Sequence, residues 1–85
     1  MSVSRTEIVA TIQRCAHEIA EREFPPFEDA QIISALGMDS LSTLEMVGMI
    51  ERELEIYLPT DDLTDIHTVG ELANLCESKL KPAAP

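Results

Sequence analysis

The chain has 85 residues, of which 16 are acidic and six are Lys or Arg, and its formal net charge at pH 7 is −10. Such a surface repels nucleic acid phosphates and anionic membranes, and no apolar run approaches the length of a membrane span, so we expect neither kind of partner. The length allows one small domain with little room for a deep catalytic pocket. These features favour an acidic protein that binds basic surfaces.

The core is expected to be aliphatic, because the chain has two Phe, one Tyr and no Trp. Aliphatic cores are typical of helices packed on helices. Cys15 and Cys76 lie on apolar helical faces and belong to no C-x-x-C pair or Cys/His cluster, so we expect buried, reduced thiols and no metal site. Together with the lack of a signal-peptide pattern, this predicts a cytoplasmic protein.

The first predicted helix runs from about Ser4 to Glu23. Ser4 and Glu7 fit a capping box at its start, and Pro25-Pro26 is expected to end it. Its apolar residues recur at spacings of three and four and define one buried face: Ile8, Ile12, Cys15, Ala16 and Ile19.

A loop over residues 24–39 is predicted next, with a helical turn within 30–35 and with Gly37 as a stop or positive-φ position. The second helix should span 40–55 behind Asp39, whose carboxylate is placed to cap it. Gly48 in its interior indicates a close packing contact or, less favoured, a surface that a partner approaches. Its expected buried stripe consists of Leu41, Leu44, Val47, Ile50 and Leu54, widened by Met46 and Met49.

The C-terminal third is predicted to contain an exit loop over 55–59, a short helical turn over 61–65 and a last helix. Thr68 and Glu71 fit a second capping box at the start of that helix. Residues 81–85 are expected to form a frayed tail beyond a domain of residues 1–80. The fold class is therefore all-α, with three principal helices and a short third helix in one four-helix bundle. The last helix should bury Val69, Leu72, Ala73, Cys76 and Leu80.

Ser40 stands at the junction of the loop and the second helix, where its side chain is exposed. A capping serine is the first explanation on local grounds. A catalytic triad with His17 or His67 is disfavoured, because no glycine-rich oxyanion turn accompanies Ser40. A calcium site at the acids of 61–65 is also disfavoured, because the alternating acids and central glycine of an EF-hand loop are absent.

The segment Leu36-Gly37-Met38-Asp39-Ser40-Leu41 closely resembles the phosphopantetheine attachment motif of acyl carrier proteins. This resemblance implies a non-catalytic carrier in which the Ser40 hydroxyl accepts 4′-phosphopantetheine from coenzyme A through a phosphodiester bond. The thiol at the end of that arm would hold acyl cargo as a thioester. The resemblance covers about residues 8–80, including 29–32 before the motif, 44–47 and 50–54 in the second helix, 56–59 at its exit and 61–72 beyond it.

Residues 39–71 contain nine acids and one base, which supply −8 of the net charge. The resemblance implies a monomer that docks through these acids on basic patches of a phosphopantetheinyl transferase and of enzymes that load, elongate or modify the cargo. The candidate docking residues are Asp39, Leu41, Glu45, Met46 and Glu51. The candidate residues of a pocket for the acyl chain are Leu44, Val47, Ile66 and Val69.

Four residues depart from the pattern of fatty-acid carriers, namely Ala35, Ser42, Gly48 and Arg52. They favour a carrier for polyketide or mixed natural-product assembly over one for fatty-acid synthesis. An acidic helical adaptor without a prosthetic group would have the same composition, and it is the alternative interpretation.

Overall fold

The computed structural model describes residues 3–80. Across this range the only β-type pairing is one isolated antiparallel bridge between Ile32 and Thr68, so the all-α prediction is confirmed. No helix in the described part is long and apolar enough to cross a membrane. The predicted tail at 81–85 lies outside the described residues. The elements in chain order are α1 (Arg5–Ala20), a 3-10 helix (Ile33–Leu36), α2 (Ser40–Leu54), α3 (Thr60–Leu63) and α4 (Val69–Leu80).

Helix α1 starts as predicted but ends earlier. The Ser4 hydroxyl accepts the Glu7 backbone N–H at 3.1 Å, and the Glu7 carboxylate accepts the Ser4 N–H at 3.2 Å, so the capping box is present. The helix ends at Ala20 because Glu21 adopts a left-handed conformation with φ 56°. The proline pair therefore does not end the helix, since the chain has already turned away before it.

The core is aliphatic and lies where α1 packs against both α2 and α4. Cys15 on α1 and Cys76 on α4 are 0% exposed, so the prediction of two buried thiols is confirmed. The largest fully buried side chains are Ile8, Ile12, Met46, Ile50, Leu72, Val69, Cys15 and Cys76.

Helix α2 is rotated relative to the predicted stripe. Leu41 and Leu44 are 68% and 56% exposed, whereas Met46 is 1% exposed. Met46, Val47 and Ile50 are the residues of α2 in the core, where α2 packs against α1, whereas the first two leucines are not part of it. The close-packing explanation of Gly48 is wrong as well, because a Cβ added there would meet nothing within 4 Å.

The loop before α2 is held against the start of α4 by backbone hydrogen bonds. The N–H groups of Val69 and Gly70 donate to the carbonyls of Gln31 and Asp29 at 2.8 and 2.9 Å. The Ile33 N–H donates in return to the His67 carbonyl at 2.9 Å. This clamp fixes the 3-10 helix alongside α2. The helical turn that the sequence predicts within 30–35 therefore occurs as a 3-10 helix.

The remaining elements follow local signals. Gly37 has φ 84°, which confirms the predicted positive-φ position. The Thr68 hydroxyl accepts the Glu71 N–H at 3.1 Å, and the Glu71 carboxylate accepts the Thr68 N–H at 3.0 Å, so the second capping box is present. In the exit from α2, Leu58 is buried and Ile56 is half-buried. A frame of three long helices thus holds Ser40 at one end of α2.

Candidate functional site

Ser40 is the first residue of α2, and it is exposed. The N-cap is Asp39, whose carboxylate accepts the Ser42 N–H at 2.7 Å and whose carbonyl accepts the Thr43 N–H at 2.9 Å. The interpretation of Ser40 as a capping serine is therefore wrong. Because the neighbouring aspartate satisfies the helix start, the Ser40 hydroxyl is left for another role.

The electrostatics at this helix start suit an attached anion. Hydrogen bonds from the Ser42 backbone N–H and side chain hold the pKa of Asp39 below its ordinary value of 3.8, so Asp39 is ionised at neutral pH. The first amide groups and the dipole of a 15-residue helix present partial positive charge at the same end. A phosphate ester on Ser40 would lie beside those amides, which offset the charge of Asp39.

The turn that leads into Ser40 is anchored to the end of α1. The Arg22 guanidinium donates to the Leu36 carbonyl and lies over the Phe24 ring, 4.6 Å from its centroid. A Cβ on Gly37 would meet Arg22 Nη2 at 3.1 Å, in addition to the strain of a positive φ. The sequence did not predict this role of Arg22, because the acceptor is a backbone carbonyl 14 residues away and no pattern of side-chain types marks it.

A cavity of about 420 Å³ opens beside Ser40, between α2, the 3-10 helix and the segment from α3 to α4. Its lining is mainly aliphatic and becomes polar at Ser34, Ser40, Thr43 and His67. The lining residues are Ile33, Ser34, Met38, Ser40, Thr43, Leu44, Met46, Val47, Leu63, Ile66, His67 and Leu72.

Three of the four predicted pocket residues line this cavity: Leu44, Val47 and Ile66. Val69, the fourth predicted pocket residue, is not among the residues that line this cavity. Val69 is 0% exposed within the core, where its backbone N–H is bound to the Gln31 carbonyl.

The predicted docking residues fall into two groups. Asp39, Leu41 and Glu45 are exposed on or next to the first turns of α2. Met46 is 1% exposed and forms part of the cavity wall, so its predicted surface contact is wrong for this fold. Glu51 is half-buried, and its carboxylate accepts the Leu58 N–H at 2.7 Å, so it serves first to close the exit of α2.

The two histidines occupy different environments. The Phe24 N–H donates to Nε2 of His17 at 2.9 Å, which stabilises the turn after α1. His67 is exposed and lines the cavity together with Ser40. Over residues 3–80, no group of three His, Cys, Asp or Glu side chains has a geometry that could hold a metal ion.

Comparison with known proteins agrees with this geometry. The family model described as phosphopantetheine attachment site matches residues 10–76. The anthracycline acyl carrier protein DpsG of Streptomyces peucetius is 34% identical over 68 residues, which are 78% of this chain and 81% of that protein. The acyl carrier protein of Thermotoga maritima is 33% identical over 78 residues, which are 91% of this chain and 96% of that protein.

The fold also matches a solved structure. A chain in the crystal structure of the curacin biosynthetic pathway HMG synthase in complex with acetyl donor-ACP has a TM-score of 0.78 and 31% identity, covering 91% of this chain and 100% of that chain. The matched segment in the family comparison extends from α1 to α4 and includes the whole Ser40 region. The chain therefore belongs to the acyl carrier proteins of the phosphopantetheine-binding family, which are non-catalytic carriers with covalently bound 4′-phosphopantetheine.

Proposed function

We propose that Ser40 is the attachment residue of the arm and that the protein presents acyl groups as thioesters at the arm's thiol. The observation that carries this proposal is the exposed Ser40 hydroxyl at the start of α2, freed from capping by Asp39. The hydroxyl would supply the ester oxygen, while the helix N-terminus stabilises the attached phosphate charge. When bound, the group supplies a thiol on a long, mobile arm.

The assignment is tested by intact-mass measurement after incubation of the chain with coenzyme A and a broad-specificity phosphopantetheinyl transferase. We expect the wild type to gain the mass of one phosphopantetheine and Ser40→Ala to gain none. Ser34→Ala is the matched control, because Ser34 is also exposed and lines the same cavity. An unmodified wild type, or a modified Ser40→Ala, would refute the assignment and favour the adaptor without a prosthetic group.

The cavity beside Ser40 is proposed to receive part of the acyl chain between Leu44, Val47 and Ile66. Its volume of about 420 Å³ lies in the range of small-molecule sites, roughly 300–1,000 Å³. A chain bound there stabilises the folded state, so octanoyl-loaded protein should have a higher Tm than the protein with the bare arm. Val47→Phe should abolish this difference by filling the cavity, whereas Leu41→Phe on the exposed surface should retain it. Equal Tm values for both wild-type forms would contradict the proposal.

Docking on basic enzyme patches is proposed to depend on Glu45, with Asp39 and Leu41 beside it. These exposed residues lie within about two helical turns of Ser40, so an enzyme that reaches Ser40 covers them. Glu45→Lys should lower the kcat/KM of the transferase at low salt and flatten its salt dependence. Glu23→Lys, an equal charge change at an exposed position after α1, is the control. Equal effects of both variants would show that overall charge alone matters.

The cargo is proposed to belong to polyketide or mixed natural-product assembly. Support comes from the anthracycline carriers among the relatives, from the curacin-pathway structure and from the residues Ala35, Ser42, Gly48 and Arg52. Fatty-acid synthesis is the second candidate, because general acyl carrier proteins of similar identity are also relatives. Mass spectrometry of the arm-bound species from the native host separates them: saturated straight chains would overturn the first candidate. We further propose that the protein is a cytoplasmic monomer. Size-exclusion chromatography with light scattering tests whether it is monomeric.

A further inference from the structure

The cavity beside Ser40 is polar at its mouth and aliphatic at its floor. Among its lining residues, Thr43 is half-buried and His67 is exposed, whereas Met46 and Leu72 are each 1% exposed. The polar side chains therefore lie towards solvent and the aliphatic ones towards the core. Binding of a saturated chain is driven by apolar burial and makes no use of hydrogen-bonding side chains, so the polar mouth bears on which cargo is bound.

Helix α2 carries this change in polarity along one row of side chains. Ser40, Thr43 and Val47 lie at spacings of three and four and therefore share one face of the helix. At 1.5 Å per residue, Thr43 is about 4.5 Å and Val47 about 10.5 Å from Ser40 along the axis. His67 lines the same cavity from the segment between α3 and α4. A chain that enters from the Ser40 end therefore passes Thr43 and His67 before it reaches Val47.

The attachment of the arm decides which part of the cargo lies at the mouth. Ser40 is exposed, so an arm on its hydroxyl runs outside the cavity and holds the thioester at the mouth. The methyl end of the acyl chain then enters the aliphatic floor. The carbons next to the thioester are the ones that lie beside Thr43 and His67. This step rests on the proposed function, because it requires the arm on Ser40 and the acyl chain in the cavity.

The two polar side chains have defined hydrogen-bonding capacity. The Thr43 hydroxyl donates its one proton to the Asp39 carbonyl at 2.8 Å, so towards cargo it can only accept. His67 is held by its backbone, whose N–H donates to the Glu71 carboxylate at 2.8 Å and whose carbonyl accepts the Ile33 N–H at 2.9 Å. Its ring is therefore placed at the mouth without the use of its own nitrogens, which can donate or accept.

This arrangement matches a hydroxyl better than any other common substituent of an acyl chain. A methylene neither donates nor accepts, a ketone only accepts, and a hydroxyl does both. We propose that the cavity mouth selects acyl groups that carry a hydroxyl near the thioester, with Thr43 accepting its proton and His67 donating to its oxygen. Thr43 and His67 are then the residues that determine which cargo this carrier stabilises.

The test compares the Tm of the chain loaded on Ser40 with octanoyl or with either enantiomer of 3-hydroxyoctanoyl, each relative to the bare arm. One hydroxylated enantiomer should raise Tm more than octanoyl does, by roughly 2–12 °C for one hydrogen bond in a small domain. The other enantiomer should gain less, because fixed partners bind a hydroxyl that points in one direction.

Substitutions at the mouth test the two partners. Thr43→Val and His67→Leu should each reduce the extra stabilisation, and comparison with the bare arm of the same variant cancels any change in the stability of the fold. Thr64→Val is the matched control, because the Thr64 hydroxyl also donates to a carbonyl four residues earlier, that of Thr60 at 3.4 Å, and Thr64 is not among the residues that line the cavity. It should keep the full difference between the hydroxylated and the saturated cargo.

The outcomes separate this inference from the proposals on which it rests. A wild type that accepts no arm overturns the Ser40 assignment, and equal Tm values for the octanoyl form and the bare arm overturn the acyl cavity; either result also removes this inference. If octanoyl raises Tm but neither hydroxylated enantiomer exceeds it, the selection of a hydroxyl alone is overturned. Equal Tm values for the two enantiomers, or an extra stabilisation that persists in both Thr43→Val and His67→Leu, would overturn it as well.

Discussion

Gly70→Ala should weaken the clamp that holds the loop before α2 against the start of α4. A Cβ on Gly70 would lie 2.8 Å from Asp29 Cβ, 2.9 Å from its carbonyl oxygen and 3.1 Å from its Cα. Two of these atoms belong to the backbone, so no side-chain rotation relieves the overlap. Relief requires the loop to move away, which lengthens the 2.9 Å hydrogen bond from the Gly70 N–H to the Asp29 carbonyl.

The magnitude of this effect follows from three contributions. Overpacking a close contact costs about 1–3 kcal/mol. Weakening one buried backbone hydrogen bond costs about 0.5–1.5 kcal/mol. The better helix propensity of alanine offsets up to about 1 kcal/mol. The free energy of unfolding should therefore fall by about 0.5–4.5 kcal/mol, which lowers Tm by roughly 2–36 °C for a domain of this size.

Thermal and urea unfolding followed by circular dichroism measures this change. Gly48→Ala is the matched control, because it is the same substitution in a helix with open space around the new methyl group. It should raise the free energy of unfolding by up to about 1 kcal/mol. If Gly70→Ala were as stable as the wild type or more stable, the close approach of Asp29 would not constrain the fold, and the reasoning would be refuted.

Three further predictions concern a cap, an ion-pair network and the thiols. Asp39→Asn should keep the Tm at pH 7, because asparagine caps equally well, but it should reduce the loss of Tm on acidification. Because the pKa of Asp39 is lowered in the folded state, its ionised carboxylate stabilises the fold at pH values above its ordinary pKa of 3.8. This stability is lost as the pH falls through the lowered pKa. Parallel plots of Tm against pH for the two proteins would contradict this explanation. Arg5→Ala should lower the free energy of unfolding, measured by urea titration, by about 1 kcal/mol. The partly exposed guanidinium of Arg5 binds the Asp29 carboxylate at 3.2 Å and the Gly70 carbonyl at 3.2 Å, and both interactions are lost in the variant. An unchanged urea midpoint would contradict this prediction. Cys15 and Cys76 should react with an aromatic disulfide reagent only after unfolding, and fast reaction of the native, unmodified chain would contradict their burial.

The features that the sequence predicted correctly are those whose signals are local. The two capping boxes, Ser4 with Glu7 and Thr68 with Glu71, each lie within four residues, and both are present in the structure. The rotation of α2 was not predictable in the same way. Leu41 fits the helical period as well as Ile50 does, yet Leu41 is 68% exposed and Ile50 is 0% exposed, because the period alone does not decide which part of the helix other elements cover.

The site shows the same division. Ser40 is predicted as the attachment residue from a continuous motif, whereas the residues that support its position meet across the fold. Arg22 binds the Leu36 carbonyl, and Glu51 binds the Leu58 N–H. Both interactions use a backbone group of the partner, so no pattern of side-chain types announces them. For the same reason, the cavity walls contributed by the loop and by α4 were missed.

The burial of the two thiols has a consequence for the lifetime of a thioester cargo. A thioester is transferred to another sulfur by attack of a thiolate, not of a thiol. Cys15 and Cys76 are 0% exposed, and burial raises the pKa of both, that of Cys76 to about 11. Neither therefore offers a reachable thiolate at neutral pH. A carrier built in this way does not pass acyl groups to its own cysteines, so thiol exchange within the folded chain does not shorten the lifetime of the cargo on the arm.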